Sequence, residues 1–120
     1  MSSTNINNVI AVVPVKDHQN AVEWYMKLLG RDADLIPVDE VAEWQLADNA
    51  WIQVGTDAER AGYTTVIIGV NDIDVQRSFC AKAGVSVGEV VEIPEAIKMA
   101  ETVDPDGNKV VFVQDISGTV

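Results

Sequence analysis

Apolar positions in this chain follow two alternating rhythms, and the pair of rhythms is written twice. Val9-Ile-Ala-Val-Val-Pro-Val15 is a short apolar run rich in β-branched residues, the signature of a strand, and predicts one over about Ile10 to Val15. Past Asp17 the spacing changes. Ala21, Tyr25, Leu28 and Leu29 fall at i, i+4, i+7 and i+8, one stripe of an amphipathic helix that Asp17 caps and Gly30 stops. The run returns at an offset of 55 as Thr64-Thr-Val-Ile-Ile-Gly-Val-Asn-Asp72. It predicts a strand over about Thr65 to Val70, then a helix from the Asp72 cap to about Ala83 that ends at Gly84.

The segments after the two helices also rhyme. Extended stretches are predicted around Ala33 to Ile36, Glu43 to Leu46 and Trp51 to Val54 in the first half, with Asp48-Asn49 as a hairpin turn. In the second half they fall near Val87 to Glu92, Ile97 to Thr102 and Val110 to Val113. Asp104-Pro-Asp-Gly-Asn108 joins the last two, since Pro105 fixes φ at the first corner and Gly107 tolerates positive φ. The fold class is α+β: two tandem βαβββ modules, about 6–56 and 62–116, in one domain spanning 1–120. The polar stretch from Gly55 to Gly62 reads as the link between modules. Strand alternation puts Trp51 and Gln53 on one face, Ile52 and Val54 on the other.

Composition narrows the function classes. A chain of 120 residues, 48% hydrophobic with one cysteine, can bury a core without disulfide staples. No stretch reaches the roughly 20 apolar residues of a membrane span, and the opening Met1-Ser-Ser-Thr-Asn5 has no basic or apolar leader. The expected setting is cytoplasmic. Nineteen acidic against eight basic side chains give a net charge of −11, which repels nucleic acid and anionic membranes and draws cations toward any cleft.

The order of these elements, with Ala21-Val-Glu-Trp-Tyr25 leading to Leu29-Gly30 and the Asp104-Pro-Asp-Gly-Asn108 turn before the last strand, resembles the vicinal oxygen chelate superfamily. That group contains glyoxalase I, extradiol dioxygenases, and fosfomycin and bleomycin resistance proteins. The resemblance covers about residues 6 to 115. It implies a cupped mixed β-sheet with helices on its outer face, and it implies homodimers.

In the metal-dependent members, the first and last strands of each module supply ligands. The resemblance puts those positions at Ile10, Gln53, Thr65 and Val111. Catalytic divalent metals need three or more His, carboxylate or thiolate donors, and this set offers one amide and one hydroxyl. No metal and no cofactor is therefore expected. The single histidine, His18, reads as a solvated helix-start residue, and Cys80 as a buried inert thiol.

The ligand-binding candidates are Trp51, Gln53, Trp44, Thr65, Ile10, Val111, Glu101 and Tyr63, in a pocket that also takes Val12, Ile67 and Val113. An indole can stack on a planar or cationic molecule. Glu43 and Gln45 lie on the same strands, with register undecided. Three readings stay open. The first is a metal-free binding protein of the bleomycin-resistance kind, sequestering a small cationic or aromatic organic molecule. The second is a lyase, isomerase or dioxygenase-type enzyme of the same superfamily, with Glu101 or Glu43 as a base if it is metal-free. The third is an interaction protein with a filled pocket.

Overall fold

The computed structural model describes residues 5–118. In chain order the elements are β1 (Val9–Val15), α1 (His18–Leu29), β2 (Leu35–Val38), β3 (Val41–Ala47), β4 (Ala50–Thr56), β5 (Thr65–Gly69), α2 (Ile73–Lys82), β6 (Val91–Ile93), β7 (Ile97–Val103) and β8 (Lys109–Asp115). The tandem βαβββ architecture expected from the repeat is present, built as two four-stranded sheets ordered β1-β4-β3-β2 and β5-β8-β7-β6. In each, the first strand runs parallel to the last and the remaining pairings are antiparallel.

Local chemistry sets the helix ends where the sequence places them. The Asp17 carboxylate accepts from the Asn20 amide at 3.2 Å, and the Asp72 carboxylate accepts from the Asp74 and Val75 amides at 3.0 and 3.1 Å, satisfying donors that a helix start leaves unpaired. Gly30 and Gly84 take φ of 81° and 87°, a left-handed conformation that side chains resist. At Gly30 a Cβ would also collide with the Phe79 ring. One predicted stretch is shorter than expected: only Val91–Ile93 of the segment after α2 forms a strand.

Val13, Val15, Ile52 and Val54 of the first sheet and Val66, Val110 and Phe112 of the second turn inward, joining Ala21, Tyr25 and Leu28 of α1 and Ile73 and Cys80 of α2 in one buried cluster. The helices therefore cover one face of the sheets and leave the other open. Trp44 belongs to the covered face, fully buried, with its indole donating to the Arg31 carbonyl at 3.0 Å. This corrects its assignment as a ligand-binding residue. A bulge between Gln45 and Ala47 shifts the hairpin register by one, so Trp44 pairs with Ile52 and Glu43 pairs with Gln53. Without that extra residue Trp44 would stand opposite Gln53, on the open face.

The modules are joined through polar groups. Asp104, only 4% exposed, accepts from the Asp106 and Asn108 amides, the Asn108 side-chain amide and the Tyr25 hydroxyl, all at 2.9 Å. Asn108 also donates to the Pro14 carbonyl at 2.8 Å and accepts from the Gly62 and Thr64 amides at 3.0 and 3.1 Å. One turn thus holds the end of β1, the inter-module link and α1. Burial, reinforced by the Asp104 charge and its hydrogen bond, holds the Tyr25 hydroxyl protonated far above its ordinary value of 10.0.

Tyr25→Phe strips one donor from a buried carboxylate and is expected to cost about 1 to 3 kcal/mol, with Asn108→Ala costing more. Urea unfolding measures both. Because the folded-state value of Tyr25 is raised, stability should be full below pH 10.0 and decline above it, where only the unfolded chain ionises. Tyr25→Phe should lose that part of the alkaline decline.

Candidate functional site

The open faces of the two sheets carry most of the residues singled out by the sequence. On the first sheet, register aligns Ile10 with Trp51 and Gln45, and Val12 with Gln53 and Glu43. On the second it aligns Thr65 with Lys109 and Val103, and Ile67 with Val111 and Glu101. The rows Val12–Gln53–Glu43 and Ile67–Val111–Glu101 are equivalents, offset by 55 on the first strand and 58 on the other two. Glu43, Gln45 and Glu101 therefore all stand on the open face, at positions that sequence periodicity alone did not fix.

The first row is the more structured of the two. Gln53 Nε2 donates to Glu43 Oε2 at 2.6 Å, fixing a half-buried carboxylate between the half-buried Trp51 and Gln53 side chains and the exposed Leu35. Beside it, Val12, Pro14, Val41, Gln53, Thr56 and Asp57 help to line a shallow cavity of about 200 Å³. In the second row an apolar side chain replaces the amide. Val111 is buried, and Glu101 instead faces Lys109, with Oε1 and Nζ 3.8 Å apart and both side chains about half exposed, a pair of little energetic weight.

Much of the remaining open face is apolar and uncovered: Ile10 is 44%, Val12 53% and Ile67 69% exposed. Tyr63 lies outside the strands, just before β5, and is 87% exposed. Asp57, Pro14 and Val41 were missed. The signal for Val41 was available, since it sits two residues before Glu43 and so on the same face.

Ile10 and Gln53 share the open face of one sheet, and Thr65 and Val111 share that of the other. Two of these four side chains are hydrocarbon, one is an amide and one a hydroxyl, so the set does not fit a catalytic divalent metal. Among the described residues no three His, Cys, Asp or Glu side chains are grouped to hold one. His18 opens α1, with Nδ1 buried and without a hydrogen-bond partner among those residues. Cys80 is buried, and burial pushes its thiol above the usual value despite the opposing hydrogen bond from Gln76. It has the character of a packing residue.

No family model matches the chain and no curated protein matches it by sequence. Solved structures do. A glyoxalase/bleomycin resistance protein from Catenulispora acidiphila superposes with a TM-score of 0.85 at 28% identity, covering 89% of this chain and 96% of that one. An antibiotic binding protein from Streptomyces sp. CB03234 gives 0.76 at 20% identity, covering 96% and 98%. A bleomycin-binding protein in complex with bleomycin gives 0.74 at 16%, covering 90% and 98%. With its tandem βαβββ modules and these structural relatives, the chain has the fold of the vicinal oxygen chelate superfamily and is similar to proteins of the glyoxalase/bleomycin resistance kind.

Proposed function

We propose that this protein binds a small organic molecule on the open face of its sheets without a metal ion, and that the ligand is cationic and aromatic. The observation that carries the reading is the row Val12–Gln53–Glu43 beside Trp51: an apolar floor, an indole in reach, and a half-buried carboxylate held by an amide. A hydrogen-bonded, half-buried carboxylate in such surroundings repels anions and rewards a cation that replaces its lost water. The net charge of −11 adds a long-range field of the same sign. Structures similar to this chain include a bleomycin-binding and an antibiotic binding protein, which supports ligand capture as the class of activity.

The positions at which the superfamily holds metal support a metal-free site, because Ile10, Gln53, Thr65 and Val111 cannot replace the missing donors. The same reading includes a homodimer. Exposed Ile10, Val12, Val91, Val103 and Ile67 form apolar surfaces of a kind that folded monomers seldom leave uncovered. Pairing open sheets across a twofold axis would cover them and wall the ligand in.

A panel of flat cationic dyes should quench Trp fluorescence, while anionic analogues of equal size should bind at least about tenfold more weakly. Trp51→Ala should remain folded and lose about 0.5 to 2 kcal/mol of binding free energy. Trp44→Ala should lose about 3 to 5 kcal/mol of stability as a core truncation. Dyes that bind Trp51→Ala and the parent protein equally well would reject the site.

Light scattering at micromolar concentrations should give twice the chain mass of 13.0 kDa. The chain mass itself, unchanged on dilution or with bound dye, would rule out the paired-sheet arrangement.

A further inference from the structure

At the seam between the modules lies a cavity of about 390 Å³, lined mostly by residues of the helices and of the covered face. Module one contributes Leu29, Arg31, Gln45 and Leu46; module two contributes β5 and α2 residues, with Phe112 at the back. Its volume falls in the range of small-molecule sites, and it has their usual make-up of apolar walls with a few polar groups. Val75 and Phe79, one turn apart on α2, line it while remaining exposed, so it has an apolar mouth open to solvent.

Its charge is opposite to that of the open face. In a chain with 19 acidic and eight basic residues, no acidic side chain among the described residues lines this cavity, and Arg31 is the one charged group among them that does. The guanidinium is held in place: Nη1 donates to Asp34 Oδ1 at 3.0 Å and Nη2 to the Gln45 carbonyl. An arginine has five N–H donors, so three remain without a partner among the described residues. Asp34, about one-third exposed, neutralises part of the charge without occupying those donors. Gln76, also in the lining, spends its amide on the Cys80 sulfur at 3.6 Å, and its side-chain carbonyl has no partner among the described residues.

We propose that this seam is a second ligand site, taking a monocarboxylate with a planar or branched apolar body. The body would lie between Leu46, Ile68 and Phe79, and the carboxylate would meet the unused donors of Arg31. A carboxylate matches the guanidinium fork in shape as well as in charge. A cation finds no counter-charge in the lining, and a neutral amide satisfies the fork less well. Because both modules build the walls, an occupant ties them together and raises the unfolding temperature.

The test uses the full chain, amide ¹⁵N–¹H spectra, and three probes of one shape: naphthalene-2-carboxylate, naphthalene-2-carboxamide and 2-naphthylmethylammonium. The carboxylate should give saturable shifts centred on Leu46, Val70, Gln76 and Phe79, and should bind more tightly there than the amide, with the ammonium weakest. Arg31→Met should weaken the carboxylate about tenfold or more and leave the amide nearly unchanged. Asp34→Asn removes the competing carboxylate and should tighten binding of the same probe. The proposal is overturned if carboxylate shifts centre on Trp51 and Gln53, if the three probes bind the seam equally, if Asp34→Asn and Arg31→Met both leave the carboxylate affinity unchanged, or if no saturable shift develops.

Discussion

One buried carboxylate organises the molecule. Among the described residues Asp104 has no cationic partner; its charge is solvated instead by two backbone amides, one side-chain amide and one phenol, each 2.9 Å away. Taking a carboxylate out of water costs several kcal/mol unless such donors replace the water, so the four groups must meet whenever the protein folds. They come from the β7–β8 turn and from α1, and Asn108 extends the network to the end of β1 and to the chain before β5. The turn residues that look at first like a good hairpin corner are therefore the joint between modules. With that joint formed, the helices of both modules share one core, and the opposite faces of both sheets are left open.

The repeat made the fold legible because each level of the sequence agreed with the others. The β-branched runs, the Asp caps and the left-handed glycines at 30 and 84 all point to the same elements, and the structure has them. The open-face rows were legible for the same reason, as strand alternation carries Ile10, Val12, Trp51 and Gln53 to one side. Trp44 was not legible. Its pairing with Ile52 depends on a single-residue bulge at Gln45–Ala47, which counting back from the Asp48-Asn49 turn does not reveal. The Glu43–Gln53 hydrogen bond hid behind the same register. The seam cavity is a tertiary feature: Leu46 and Phe79 are 33 positions apart, and no periodicity relates them.

The two faces of the sheets consequently differ in chemistry. The open face sets carboxylates at Glu43 and Glu101 among exposed aliphatic side chains. The covered face ends, at the seam, in a cavity whose one charged lining group among the described residues is Arg31. In module one Gln53 meets Glu43, whereas at the equivalent place in module two Val111 stands beside Glu101. The two copies of one framework thus carry different side chains at equivalent places on the open face.

The central claim is that this face holds a ligand with its own side chains and no metal. Elemental analysis of protein purified without chelators tests it most directly. The account predicts far less than one equivalent of zinc, iron, manganese or nickel per chain, because two hydrocarbon groups, an amide and a hydroxyl cannot compete for these ions. A near-stoichiometric metal that is lost on Gln53→Ala or Thr65→Val would contradict it.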